Sequence, residues 1–526
     1  MLELLGQGFL QTFSSPLNIA LIVAGVGIGI ILGALPGLTA TMGIAIALPL
    51  TFGMRPDAGL VLLVSIFIGG IHGGGIPGIL IRTPGTPASA ASMIDGFELT
   101  KQGKASYALG IHAFSSATGS FISTILLIFI STWIALFALN FGPAEFFLLA
   151  VFGLTVVASV TGKSATKGLM MACLGLLLST VGIDPIKGFS RFSFGVWQLM
   201  DGFSLVPALI GLFAISQVLV EIQTLGQSIV QAERVHVKLP DRKTVLGLMP
   251  TIVKSSLIGT LIGAIPGPGA ILGSFVPYAE AKRASKHPEK FGKGALEGVA
   301  AAEAGNNSAA IGAMIPTLTL GIPGEAATAV LIGGLMILGL QPGPMLFVEN
   351  ADVVYSLFAA TLLGAVVLLG LGLLMAQYIG KLITVPKKIL LPTVLLLCII
   401  GSFAIRNSVF DVGVAIGFGI LGYVLNRIDY PTVPILLGLI LGPIAESNFR
   451  RALLISRGDV RIFLSSAVCY ALIALTILSL IFGYRLTRSL NRQARASGIT
   501  QSADEQPEQD AGAQSDPSEG ASGERP

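Results

Sequence analysis

The feature that most limits how this chain can fold is a Pro-Gly pair set inside a long apolar run, and set there twice. Gly29-Ile30-Ile31-Leu32-Gly33-Ala34-Leu35-Pro36-Gly37-Leu38-Thr39-Ala40-Thr41-Met42-Gly43 returns as Gly259-Thr260-Leu261-Ile262-Gly263-Ala264-Ile265-Pro266-Gly267-Pro268-Gly269-Ala270-Ile271-Leu272-Gly273. Gly29, Gly33, Ala34, Pro36, Gly37, Ala40 and Gly43 all recur, at a shift of 263 − 33 = 230. Proline removes an N–H and glycine admits unusual dihedrals, so a helix reaching the pair is interrupted. At membrane depth, interrupted backbone persists only where protein buries it or where it lines a cavity. Paired interruptions in corresponding halves point to a transporter's binding site. A kinked packing helix is the competing reading of either one alone.

The membrane setting follows from composition. Of 526 residues 53% are hydrophobic and 11% charged, and mean hydropathy is +0.83. A soluble chain of this size carries far more charge. Many runs approach the roughly 20 apolar residues that span a bilayer. The expected fold is an all-α polytopic membrane protein, with the 66 glycines serving close helix packing. The net charge of +4 sits in loops, which is a topology signal and no nucleic-acid footprint. Cys173, Cys398 and Cys469 stand far apart in apolar runs and read as core residues. The first residues lack a basic region and a cleavage site. Leu2, Leu5, Phe9 and Phe13 share a helical face, so residues 2–14 read as an interfacial helix.

Further matches extend the repeat. Thr83-Pro84-Gly85-Thr86-Pro87 follows the apolar run 59–81, and Gly321-Ile322-Pro323-Gly324-Glu325 answers it at 323 − 84 = 239. Val206-Pro207-Ala208-Leu209-Ile210-Gly211-Leu212 matches Val433-Pro434-Ile435-Leu436-Leu437-Gly438-Leu439. Three matches in the same order indicate an internal duplication. The expected units are a first repeat over 1–225, a basic cytoplasmic linker over 226–243 and a second repeat over 244–458. An extra transmembrane helix over 459–490 and a disordered cytoplasmic tail over 491–526 complete the chain. Asp95, Glu98, Lys101 and Lys104 read as a polar loop. It carries lysines, whereas its counterpart carries Glu349 and Asp352. Opposite loop charge favours inverted repeats over parallel ones, with re-entrant hairpins and helices broken at the Pro-Gly motifs. Lys187, Arg191, Arg450 and Arg451 fit this scheme poorly. Arg485, Arg488, Arg492 and Arg495 place the C-terminus in the cytoplasm.

An interrupted helix offers N–H groups and a positive dipole end to an anion, and carbonyls to a cation. The candidate substrate-binding residues are Pro36, Gly37, Thr39, Arg82, Thr83, Pro84, Gly85, Thr86, Pro266, Gly267, Asn306, Asn307, Pro323 and Gly324. Hydroxyls and amides there can bond a carboxylate, or merely satisfy freed backbone groups. Arg82 is either a bidentate carboxylate partner or a snorkelling helix-end residue. Thr41, Ser89, Ser308, Glu325 and Thr328 are candidates for a coupling cation. Glu325 caps the helix after Pro323-Gly324 or supplies charge to that cation, and Glu303 is a further carboxylate at a membrane edge. His72 and His112 lack carboxylate or cysteine neighbours in sequence, so packing or hydrogen bonding is the reading adopted and no metal site is assigned. Gly69 to Gly75 lacks the Lys-Ser/Thr of a P-loop. Gly29-xxx-Gly33 and Gly259-xxx-Gly263 read as close helix contacts. No nucleophile, base and metal set points to an enzyme.

Gly33-Ala34-Leu35-Pro36-Gly37, Thr83-Pro84-Gly85-Thr86-Pro87-Ala88, Asp95-Gly96 with Lys101 and Gly103-Lys104-Ala105, Gly321-Ile322-Pro323-Gly324, and Gly442-Pro443-Ile444-Ala445-Glu446 with Arg450-Arg451-Ala452-Leu453 together resemble the large membrane subunit of tripartite tricarboxylate transporters (TctA-like). The resemblance covers roughly residues 1–485. It implies a bacterial inner-membrane secondary transporter that imports organic di- or tricarboxylates on an ion gradient, by symport. It implies two partners, a small membrane subunit and a periplasmic solute-binding protein that delivers substrate. No cofactor is expected beyond Na⁺ or H⁺ as coupling ion, and a homodimer is left open. The alternatives are a carboxylate channel, a non-transporting scaffold subunit and, last, an intramembrane enzyme.

Overall fold

The structure, a computed structural model, describes residues 2–35, 37–160, 164–184, 186–223, 237, 239–267, 269–382 and 386–496. Pro36, most of the expected linker and residues 497–526 lie outside the described residues. The last helix, Ala467–Ala496, runs past position 491, where the tail was expected to begin.

The described chain is almost wholly helical, and its strands are the two-residue pair Gly182–Ile183 and Ser190–Arg191. Eight helices among the described residues are long and apolar enough to cross a membrane. They are Pro16–Ala34, Pro56–Ile81, Ala105–Ala138, Leu205–Ile222, Arg242–Ala264, Ala351–Ile379, Lys387–Arg406 and Val409–Arg427. The chain is therefore a multi-pass helical membrane protein, as composition required. One expectation is corrected. Residues 95–101 are no loop but belong to the helix Ala90–Lys101, and Asp95 is fully buried. Its Oδ1 accepts the N–H groups of Gly292, Gly294 and Ala295, and its Oδ2 accepts the Tyr278 hydroxyl. A charge that looks solvated in sequence instead ties the first half to the second.

Both Pro-Gly elements form in the same way. Ser15 caps Pro16–Ala34 by accepting from the Asn18 N–H at 3.3 Å, and Asp241 caps Arg242–Ala264 by accepting from the Thr244 N–H at 3.1 Å. Each helix ends on an extended residue before its proline, Leu35 (φ −81°, ψ 118°) and Ile265 (φ −88°, ψ 118°). Proline disfavours the helical region for the residue before it. Gly37 (φ 91°) and Gly267 (φ 109°) then take conformations that only glycine holds cheaply. The following helices also break alike. Pro56–Gly73 gives way to Gly75–Ile81, and Leu296–Gly312 to Met314–Leu320. Pro77 and Pro316, at equivalent places, cannot complete the helical ladder there.

The packing repeats as well. A Cβ on Gly29 would lie 2.3 Å from the Ile66 carbonyl oxygen, and one on Gly33 2.1 Å from that of Gly70. In the second half Gly259 meets the Gly305 oxygen at 2.4 Å and Gly263 the Ala309 oxygen at 2.0 Å. The offsets are 259 − 29 = 230 and 305 − 66 = 239, the same two shifts found in sequence. Elsewhere the halves exchange partners. Gly211 packs on Ala415, and its match Gly438 packs on Gly175. Helices of each half thus close against the other.

Two of the basic residues that fitted the loop pattern poorly, Arg191 and Arg450, are neutralised by Asp184 and Glu446. Arg191 pairs with Glu446 at 2.7 Å and Asp184 at 3.6 Å, while Arg450 pairs with Asp184 at 2.8 Å and Glu446 at 2.6 Å. The backbone N–H groups of Lys187 and Ile186, with the Arg450 guanidinium, hold the Asp184 carboxyl well below the usual carboxylate range. Arg191 and Arg450 are committed to this cluster and carry little topological charge.

Candidate functional site

The interruptions converge. A cavity of about 360 Å³ is lined by Thr39, Ala40 and Thr41 from the first, Thr86 to Ala88 from the second, Gly267, Gly269 and Ala270 from the third, and Glu325 to Ala327 from the fourth. Its volume falls in the usual range for small-molecule sites. Within each half the two breaks also touch. Gly85 packs against Gly33 so closely that a Cβ on Gly85 would lie 2.2 Å from the Gly33 carbonyl oxygen. In the second half the Gly267 N–H donates to the Gly324 carbonyl at 2.9 Å.

Three full helices begin at the cavity: Ala40–Thr51, Gly269–Ala284 and Ala326–Ile337. Each brings N–H groups and a positive dipole end, worth up to about 2 kcal/mol toward an anion where partly buried. Thr39 Oγ1 caps the first, accepting from the Met42 N–H at 3.3 Å. Glu325 serves two of them. It is the N-cap of Ala326–Ile337, where its N–H donates to Thr328 Oγ1 at 3.0 Å. Its Oε2 also accepts the Ala270 N–H at 3.0 Å, while its Oε1 has no hydrogen-bond partner among the described residues. Among those residues, no Lys or Arg lines this cavity.

Of the residues singled out in sequence, Thr39, Thr41, Thr86, Gly267 and Glu325 line the cavity. Ser89 shares a 2.9 Å hydroxyl contact with Thr86 just behind the wall. Gly37 lies beside it, against the Glu221 carboxylate, which Lys387 pairs at 2.6 Å. Pro84, Gly85, Pro266, Pro323, Gly324 and Thr328 shape the breaks from outside the lining. Arg82 and Thr83 stand apart from the lining, the Arg82 guanidinium 5.9 Å from the Phe97 ring centroid.

Asn306, Asn307 and Ser308 lie elsewhere. They are buried on Leu296–Gly312 where it packs against Ala105–Ala138. Asn307 Nδ2 donates to Ser120 Oγ at 3.1 Å, and Ser308 Oγ donates to the Gly119 carbonyl at 2.9 Å. The same seam corrects the reading of the histidines. Glu303, distant in sequence, supplies the carboxylate they seemed to lack. His112 Nδ1 lies 3.3 Å from Glu303 Oε2. The three side chains are close enough to be weighed as metal ligands.

Two wall segments, touched in sequence only by the third repeat match, were not among the candidate site residues. A π-helical turn, Ile210–Ile215, presents Leu212 and Phe213, and Ser216 and Gln217 follow it. Asn426, Thr432 and Val433 enter from the second half. Such wide turns recur at functional sites, but nothing in residues 210–215 distinguishes them from an ordinary apolar helix.

The tripartite tricarboxylate transporter TctA family matches residues 19–437. A protein of Agrobacterium vitis, described as an uncharacterized 52.8 kDa protein in the TAR-I ttuC' 3'region, is 36% identical over 470 residues, 89% of this chain and 93% of that one. Another from Agrobacterium vitis, an uncharacterized protein in the TAR-II ttuC' 3'region, is 39% identical over 223 residues, 42% of this chain and 92% of its own. No solved structure matches the chain.

Proposed function

This chain belongs to the tripartite tricarboxylate transporter TctA family, and from that membership we propose that it is the permease, carrying an organic di- or tricarboxylate through the cavity between the four breaks. The observation that carries the reading is the meeting of three helix N-termini, from both halves, on one cavity without a basic side chain among the described residues. An acid is then held by backbone N–H groups and by Thr39, Thr86 and Gln217, with no fixed positive charge to be left bare when it departs.

Transport is driven by a cation gradient. Moving about three negative charges inward against ~100 mV costs roughly 7 kcal/mol, so co-transported cations are needed. Glu325 supplies the negative group in the wall, with Thr41 close by, and the cation is Na⁺ or H⁺. The two halves stand as inverted repeats in the bacterial inner membrane, with the C-terminus cytoplasmic. The exchanged contacts Gly211–Ala415 and Gly438–Gly175 support a two-fold relation between them. A small membrane subunit and a periplasmic solute-binding protein complete the system and deliver substrate.

Reconstitution in liposomes with these partners tests the reading. Accumulation of a labelled tricarboxylate such as citrate above its outside concentration, only under an imposed cation gradient, is the expected result. Downhill flux alone would make the protein a channel. Binding without flux would make it a scaffold.

A further inference from the structure

His72, His112 and Glu303 come from Pro56–Gly73, Ala105–Ala138 and Leu296–Gly312, and all three are fully buried. The first two helices belong to one half and the third to the other. Their hydrogen bonds fix where protons must be. His112 Nε2 lies 3.0 Å from the His72 carbonyl oxygen. A carbonyl only accepts, so Nε2 carries a hydrogen. In neutral His112 the other nitrogen, Nδ1, then holds a bare lone pair. That nitrogen faces Glu303 Oε2 at 3.3 Å, and neither atom has a hydrogen bond elsewhere among the described residues. Two lone pairs brought together in a dry interior repel. A single proton between them turns the repulsion into attraction, whether it is written on the imidazole or on the carboxyl.

The rest of the cluster holds this pair in place and stays neutral. Ser116 Oγ donates to Glu303 Oε1 at 3.2 Å, so it must accept from His72 Nδ1 at 3.0 Å. That leaves His72 as the Nδ1–H tautomer, with an unpartnered Nε2. The two rings stack at 4.4 Å with 26° between their planes, which tolerates one cationic ring and opposes two. Gly75–Ile81 and Pro16–Ala34 contain no titratable side chain, and Ala351–Leu382 reaches the cluster at Gly372 amid aliphatic residues. Of the other helices packed on this seam, Ala90–Lys101 and Gly269–Ala284 bring Asp95 and Tyr278 together near Gly298, bonded to each other, and Arg242–Ala264 brings Lys254, which pairs with Glu280.

We propose that Glu303 and His112 bind a proton between them, and that this proton is a co-transported cation of the carrier described above. The inference rests on that transport reading for its coupling role, though not for the binding site itself. The chemistry of the donors disfavours Na⁺, which prefers a shell of oxygens, because two of the three groups here are imidazoles. A transition metal is the competing occupant, since one atom of each side chain lies within 4.8 Å of the others, and the effect of a chelator separates it from a proton. Proton loss also has a mechanical result. The repulsion it uncovers acts between the two halves, at the seam where Ala105–Ala138 packs on Leu296–Gly312.

The test uses the full chain. In liposomes shifted between about pH 5 and about pH 9, infrared difference spectra should show a carboxyl band that Glu303→Gln removes and His112→Gln displaces. Both variants are compared with wild type by gel filtration, so a lost band is read only from folded protein. A wild-type spectrum indistinguishable from that of Glu303→Gln overturns the proposal, as does a band abolished by a metal chelator. In vesicles with the partner subunits, an imposed pH gradient should raise labelled citrate accumulation by about tenfold per pH unit, and Glu303→Gln should lose that response. Accumulation driven by Na⁺ and indifferent to pH overturns the coupling and leaves carboxylate transport intact. The infrared band without uptake of any carboxylate upholds the proton site and fails the transport reading.

Discussion

The two halves share a scaffold and differ in where they keep charge. Glycine contacts and breaks repeat at offsets of 230 and 239. The groups at the breaks do not. Thr86 and Ser89 of the first half face each other as hydroxyls, and their counterparts Glu325 and Thr328 form a capping box. Each Pro-Gly element also meets a carboxylate. At Gly37 it is Glu221, paired with Lys387 at 2.6 Å. At Gly269 it is Glu325, which has no ion-pair partner among the described residues. The halves thus keep the same packing and differ in the groups at their breaks, with the carboxylate ion-paired at Gly37 and without an ion-pair partner among the described residues at Gly269.

The largest test strikes the shared scaffold. Gly33→Leu and Gly263→Leu each push a side chain into a carbonyl oxygen about 2 Å from the new Cβ, an overpacking that the backbone cannot relieve. Both should abolish recovery of monodisperse protein after detergent extraction. Survival of one and loss of the other would mean that the halves are equivalent in sequence offset but not in mechanical role.

Next comes the divergent chemistry. Glu325→Gln keeps the shape of the site, since the amide oxygen can still accept from the Ala270 N–H. It should lower gradient-driven citrate uptake by about tenfold or more, a loss of ~1.4 kcal/mol in driving interaction, and leave the melting temperature near wild type. Glu221→Gln should do the reverse. It removes the charge that pairs with Lys387 and costs stability, about 1–3 kcal/mol by thermal melting, with a smaller effect on uptake. Equal transport defects in the two variants would erase the asymmetry between the halves.

What could be read in the chain beforehand follows the same division. Pro36, Gly37, Pro266 and Gly267 announce themselves because proline and glycine act on their own backbone, whatever surrounds them. The close contacts at Gly29, Gly33, Gly259 and Gly263 were legible for a related reason, as small residues at helical spacing. Glu303 was not. It meets Ser116 across 187 positions, and only the packing of one half on the other brings it to the histidines. Asp95 misled because Glu98, Lys101 and Lys104 around it look solvated, while its actual partners are backbone N–H groups at 292–295. The π-helical turn before Ser216 lies beyond reach for the opposite reason, since it is a choice of hydrogen-bond register made by tertiary packing.

The smallest test concerns backbone strain at one equivalent pair. Arg82 and Gly321, related by 321 − 82 = 239, both end a short helix in the left-handed region, at φ 58° and φ 69°. For a residue with a Cβ that conformation costs roughly 1–2 kcal/mol. Glycine returns part of any gain through the entropy of the unfolded chain, about 0.4–1 kcal/mol. Arg82→Gly therefore exchanges strain for entropy, loses a contact with Phe97 at 5.9 Å, and should change the melting temperature little. Gly321→Ala adds strain and sets a Cβ 3.2 Å from the Pro342 carbonyl, so it should destabilise by about 1 kcal/mol net. If Arg82→Gly destabilised as much, the guanidinium would hold the first-half break in a way the second half does without. The asymmetry would then reach from the charge at the cavity into the scaffold itself.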